Sequence, residues 1–268
     1  MKKINTMKKL VAVVALSFST FFATAQEQGK PELITDRPDQ TESPSVVPVG
    51  ALQWETGFQY EKLSNDFSEI KNTTFNTSLL RYGLLDNLEL RLIWNVVESE
   101  FTPKSAGISG NSIKSSGFAP MGIGFKVAIA DEKGWRPKIG FLSHVYVPFT
   151  ASKELKPEGS AMDTRLSFEH TLSDKFSLGY NVGTNWAAGE DLGYAYTAAL
   201  GYGITNRLSI FAEVYGVLIE NGHPDHLFDA GFTYLITDVF QWDLSGGTGI
   251  NSDQDFFIST GFTVRLFK

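Results

Sequence analysis

From residue 50 to its end the chain alternates with a period of two, in runs of roughly 9 to 13 residues. In the first run Leu52, Trp54, Thr56, Phe58 and Tyr60 share one face, and Gln53, Glu55, Gly57, Gln59 and Glu61 the other. Later runs repeat the scheme. Ile123, Phe125, Val127 and Ile129 oppose Gly122, Gly124, Lys126 and Ala128. Phe176, Leu178, Tyr180 and Val182 oppose Ser177, Gly179, Asn181 and Gly183. Strands of soluble sheets peak near ~5–6 residues, whereas strands that cross a bilayer need about 9–11. One face is aromatic and aliphatic. The other is polar, small and rich in glycine, as expected of a barrel with lipid outside and a polar lumen inside. No run of 18 apolar residues follows residue 25, so spanning helices are excluded.

Composition fits this reading. A chain 42% hydrophobic and 20% charged averages a lipid-facing half with a polar half. The absence of Cys rules out disulfide frameworks and thiolate metal sites. The formal charge of -7 argues against a nucleic-acid partner, which needs an excess of Lys and Arg.

Residues 1–25 read as a secretory signal peptide. Lys2, Lys3, Lys8 and Lys9 precede an apolar run, and Ala23-Thr24-Ala25 is a small-x-small cleavage site. Its removal takes away four Lys and no acid, and shifts the formal charge from -7 to -11. Residues 26–49 form an extended segment before the barrel of residues 50–268.

Runs and turns predict twelve antiparallel strands, at about 50–62, 69–82, 88–99, 117–130, 136–149, 160–172, 176–186, 192–204, 208–219, 228–236, 241–250 and 256–267. The even count suits a closed bacterial barrel. Alternate connections, at 84–87, 131–134, 173–175, 205–207 and 237–238, are tight and rich in Asp and Asn. The other set includes the longer loops 102–116, 150–159 and 221–227. Short turns at one end and longer loops at the other are the asymmetry of outer-membrane barrels. Trp54, Trp94, Trp186, Trp242, Phe149 and Phe176 lie near strand ends, as in an aromatic girdle.

The segment Thr35-Asp36-Arg37-Pro38-Asp39-Gln40-Thr41-Glu42-Ser43-Pro44, then Val47-Pro48 and Gly50, leads into Gln53, Glu55 and Gly57. Residues 34–57 resemble the opening of a family of bacterial outer-membrane barrels named for phenol degradation by the meta pathway. The resemblance implies an outer-membrane channel or transporter, and the pathway label carries little about the solute. The last strand alternates with an aromatic near its end, a signal the barrel-assembly machinery reads; Phe267 departs from the pattern by parity, and Lys268 follows it.

Physically, Pro38, Pro44 and Pro48 keep the opening segment out of helix and regular ladder. Asp36, Arg37, Asp39 and Glu42 are expected either to enter the lumen and pair there or to stay in a solvated tail. Parity points Glu55, Glu89, Arg91, Lys126, Lys138, His144, Arg165 and Glu213 inward, along with Glu61, Asp163, Glu169, Asp229, Asp243 and Arg265. Mixed signs at close quarters pair and can close a narrow lumen, whereas a single sign would give an ion-selective pore. Leu142, Tyr146, Phe211 and Tyr215 also point inward, which leaves an apolar path open.

Enzyme signatures are weak. His144 has no G-x-S-x-G companion. His223-Pro224-Asp225-His226 reads as a polar external loop rather than a metal site. Ser245-Gly246-Gly247-Thr248-Gly249 is strand glycine, with no βα context for a phosphate loop. The expectation is a non-enzymatic barrel without cofactor or metal, whose partners are outer-membrane lipids, the barrel-assembly machinery and a small solute. Two functions remain: a channel for small solutes, hydrophobic or aromatic ones among them, or a closed structural or partner-binding barrel. Arg–carboxylate pairs across the lumen would favour the second.

Overall fold

The computed structural model describes residues 32–105 and 108–266, so the expected signal peptide lies outside the described residues, as do Phe267 and Lys268. The strands are β1 (Leu52–Ser64), β2 (Ser68–Leu85), β3 (Leu88–Ser105), β4 (Ile108–Ser109), β5 (Ile113–Phe118), β6 (Met121–Ala130) and β7 (Lys138–Val147). They continue with β8 (Ala161–Thr171), β9 (Phe176–Ala187), β10 (Gly193–Gly203), β11 (Leu208–Ile219), β12 (Asp225–Thr237), β13 (Phe240–Asn251) and β14 (Gln254–Leu266).

β1 to β3 and β6 to β14 pair antiparallel in chain order, β4, β5 and β6 each pair with β3, and β1 pairs with β14 from Leu52↔Leu266 to Lys62↔Phe256, which closes the barrel. Closure leaves no unpaired edge, the condition for strands to sit in lipid. β5 and β6 are two halves of one stave. β5 pairs with the outer part of β3 and β6 with its inner part, so the wall has twelve staves, as the alternation predicts. The fourth strand, expected over 117–130, starts at Ile113 and breaks at Ala119-Pro120. Proline cannot donate to the ladder, while Ala119 still bonds across to the Asn95 carbonyl. The tight-turn end is as expected. At the opposite end, residues 148–160 carry two single 3₁₀ turns and fold back on β5, where Ser152 bonds Phe118 in both directions.

The interior is inverted relative to a soluble domain. The largest fully buried side chains include Arg81, Lys126, Gln53, Glu55, Glu89 and Glu213. Large apolar groups face outward, Ile123 at 58% exposure and Ile258 at 48%. That outward band meets lipid in an outer membrane, where exposure of hydrocarbon is favourable. Trp186, Trp242, Phe149 and Phe176 sit exposed near strand ends, where a girdle belongs.

Candidate functional site

Residues 32–50 enter the lumen as irregular extended chain; their ladder contact with the wall is a single bridge, Val49↔Gly83. What holds them is side chains. Glycines on the inner wall supply the room. A Cβ at Gly83 would lie 2.1 Å from the Pro48 carbonyl oxygen, and one at Gly140 would lie 2.7 Å from Pro44 Cα. Gly57 and Gly261 make the slot for the Arg37 guanidinium, at 2.7 and 2.6 Å from where a Cβ would stand.

The centre of the site is Asp36. Its carboxylate accepts from Lys126 Nζ at 2.7 Å and Arg91 Nη1 at 2.8 Å, and it pairs with Arg81 Nη1 at 3.1 Å. All four side chains are at most 2% exposed. Burial opposes ionisation of Asp36, but the charges of Arg81, Lys126 and Arg91 outweigh it and hold the carboxyl well below the usual range. Behind these cations stand wall acids. Arg81 bonds Glu89 through Nε and Glu55 through Nη1, both at 2.8 Å. Arg91 bonds Glu89 and Glu42. Glu42 also meets Lys126 at 3.1 Å.

Backbone groups of the segment are satisfied by the same wall. The Asp36 N–H donates to Glu55 and the Val47 N–H to Glu89. Arg81 and Lys126 donate to the carbonyls of Ser45 and Ser43, and Lys138 Nζ donates to Ser45 Oγ. Buried backbone without such partners would be costly. Farther round, Arg37 grips Asp243 with two bonds of 2.8 and 3.2 Å and also reaches Thr77 and Ser259. Glu213 accepts from the Gln40 N–H and the Thr41 hydroxyl, and Asn181 bonds both the N–H and the carbonyl of Glu42.

His144 joins this network from β7. Its Nε2 accepts from Arg91 Nε at 2.9 Å, so Nδ1 carries the proton and donates to Asp163 at 2.9 Å; Tyr146 Oη donates to the same carboxylate. With both nitrogens taken, the ring positions Arg91 and has none left for a nucleophile.

Of the expected lumen residues, Glu55, Glu89, Arg91, Lys126, Lys138 and Glu213 touch the segment from the wall, Arg37 and Glu42 reach the wall from the segment, and Asp36 is its hub. Asp39 lies in the lumen but has no cation at ion-pair distance among the described residues. Burial, then the charge of Glu213, pushes its carboxyl well above the usual range. Arg165 stands apart and donates to the carbonyls of Thr164 and Thr184. The expected external loop is shorter than placed, because Asp225 and His226 belong to β12, and His226 Nδ1 pairs with Tyr196 Oη at 2.6 Å.

The largest omission from the sequence reading is Arg81. A bulge where β2 meets β3, between Thr74 and Asn76, switches the parity of β2 midway. Above it Asn72 and Thr74 pair with inward residues, and below it Thr77, Leu79 and Arg81 do. The run Thr77-Ser78-Leu79-Leu80 just before Arg81 is alike on both parities and hides the inward face.

A closed twelve-stave barrel with an apolar outside, a charged inside and one extended segment through its lumen defines a transmembrane barrel of the outer-membrane type. Residues 35–266 match the family described as "Putative MetA-pathway of phenol degradation", and the chain belongs to that family. Its fold is similar to the COG4313 outer membrane channel from Pseudomonas putida F1, with a TM-score of 0.64 at 13% identity over 83% of this chain and 98% of that one. It is also similar to the translocator domain of the autotransporter NalP from Neisseria meningitidis, with a TM-score of 0.52 at 11% identity over 82% of this chain and 90% of that one. No curated protein matches the chain in sequence.

Proposed function

We propose that this chain is an outer-membrane channel for small solutes, hydrophobic or aromatic ones among them, with residues 26–49 acting as a plug in the barrel of residues 50–268. The observation that carries the reading is the way the segment is held. It contributes no strand to the wall, so it can leave the lumen without breaking the barrel ladder. A segment meant only to fill a fixed core would be cheaper as packed hydrocarbon than as buried ion pairs. Family membership and the fold's likeness to an outer-membrane channel support the same reading. Export by the signal at residues 1–25 and insertion by the barrel-assembly machinery belong to it, and none of its steps is catalytic.

One observation favours a second reading, a permanently closed structural or partner-binding barrel. The segment is tied to more than one part of the wall, through Asp36 and Glu42 to Arg81, Arg91 and Lys126 and through Arg37 to Asp243. Deleting residues 26–45 and recording single-channel conductance beside liposome uptake separates the two. The channel reading expects rare openings of the full chain and a large, sustained conductance of the deletion variant. Silence of both proteins, with the barrel folded, supports the closed reading instead.

A further inference from the structure

The charges of the lumen are unevenly distributed. On the side formed by β1–β3, β6 and β7, Glu55 and Glu89 of the wall and Asp36 and Glu42 of the segment each have a cation beside them. On the opposite side Asp39, Glu213 and Asp229 cluster with no cation at ion-pair distance among the described residues. Glu213 and Asp229 face each other across the β11–β12 pair. Asp229 is fully buried, no N–H or alcohol among the described residues donates to its oxygens, and the group beside it is the Glu213 carboxyl, with which it can share a proton. Two acids buried side by side are costly when both are ionised, so they hold a shared proton or gain from a positive charge nearby.

Next to this trio, toward the tight-turn end, lies a cavity of about 210 Å³ between the segment and the wall of β8–β11. Asp39 lines it, and the next residue, Gln40, donates its N–H to Glu213 at 2.7 Å. Glu42 and Glu169 line it as well, with Ile34, Pro44 and Phe211 as its apolar part, and no Lys, Arg or His takes part. The lining, acids on one part and Ile34, Pro44 and Phe211 on the other, suits an occupant with a single positive charge and a hydrocarbon group. A cavity of roughly 150 Å³ already admits a benzene ring in another protein.

We propose that this cavity is a binding site for a small organic ammonium carrying a ring or short hydrocarbon group. Its charge meets Asp39, with Glu213 and Asp229 behind, and its apolar part rests on Phe211, Ile34 and Pro44. The proposal rests on the channel reading in one respect only, that this ligand is a solute the channel passes.

The test uses the full chain in detergent and three probes of one shape: benzylammonium, benzyl alcohol and benzoate. Calorimetry or ligand-observed NMR should show benzylammonium binding at least about tenfold tighter than either other probe, as expected where a desolvated ion pair forms. Asp39→Asn, a change on the segment that leaves the wall intact, should remove most of that preference, and Asp229→Asn should weaken it with the barrel still heat-modifiable on gels. Equal affinity for benzyl alcohol, or a preference unchanged by Asp39→Asn, overturns the proposal. Liposome uptake distinguishes the two readings. Binding without uptake of any probe leaves the site standing and refutes transport. Uptake of all three probes with no charge preference in binding leaves transport standing and refutes the site.

Discussion

Asp36→Asn tests whether charge holds the segment in place. The substitution keeps size and shape and removes one charge from a carboxylate that meets three cations within 3.1 Å. Removing one partner of a buried ion pair costs about 3–5 kcal/mol. The charge balance decides where in that range the effect falls. The wall offers Arg81, Arg91 and Lys126 against Glu55 and Glu89, an excess of one positive charge, and the segment brings Asp36 and Glu42. In the variant, Glu42, Glu55 and Glu89 still give every cation a carboxylate, so the cost belongs at the low end, about 3 kcal/mol. At 1.36 kcal/mol per decade that is on the order of a hundredfold rise in the population with the segment out of the lumen. Planar-bilayer recording should show open probability rising by about that factor, with unit conductance tending toward that of the 26–45 deletion. Barrel integrity is checked separately by heat modifiability, which should be retained because the wall pairs Arg81–Glu55 and Arg81–Glu89 are untouched. An open probability within twofold of the parent, with the barrel folded, would refute the claim that these ion pairs hold the segment.

Other consequences follow from the same contacts. Asp39 and Asp36 give the segment opposite pH limbs. The raised Asp39 carboxyl favours the seated segment below its ordinary titration range, a contribution lost as pH rises through the raised value. The lowered Asp36 carboxyl contributes above the ordinary range and is lost as pH falls through the lowered value. Open probability should therefore be lowest between the two, and Asp39→Asn should flatten the alkaline limb alone; an unchanged pH profile would count against it. Gly57→Val puts a side chain where the Arg37 guanidinium and the Thr260 carbonyl lie, with the Cβ at 2.7 and 2.5 Å from them. It should lower the temperature of the gel-shift transition through overpacking of about 1–3 kcal/mol and also raise conductance, whereas a purely structural glycine would show only the first effect. His144→Phe keeps a ring but leaves Arg91 Nε and Asp163 without their partner. It should cost about 1–3 kcal/mol and raise open probability less than Asp36→Asn does.

Most of the wall was legible because lipid and lumen impose a strict two-residue period, and a twelve-stave barrel repeats that period often enough to be counted. The boundaries that shifted are where something other than parity governs. The fourth stave begins early because β5 pairs with the outer part of β3 beyond any apolar alternation, and β12 begins at Asp225 because Tyr196 holds His226 in the ladder. The candidate lumen residues were legible for the same reason as the wall: inward parity selects them without reference to what they touch.

Arg81 shows where this reasoning stops, and why the stop falls at the centre of the site. A one-residue bulge costs the sheet little but inverts every side chain beyond it. Parity read from either end of β2 therefore gives contradictory answers at its middle. The bulge also does something useful. Below it Arg81 lies directly across from Arg91, a like-charged pair that would be destabilising on a plain sheet. That pairing is tenable only because Glu55 and Glu89 on the neighbouring strands, and Asp36 from the segment, complete both guanidinium groups. On this side alone the wall thus carries one more cation than acid, a surplus that Asp36 and Glu42 of the segment more than offset. This inference needs the register of β1, β2, β3 and β6 together, which no single strand's sequence contains.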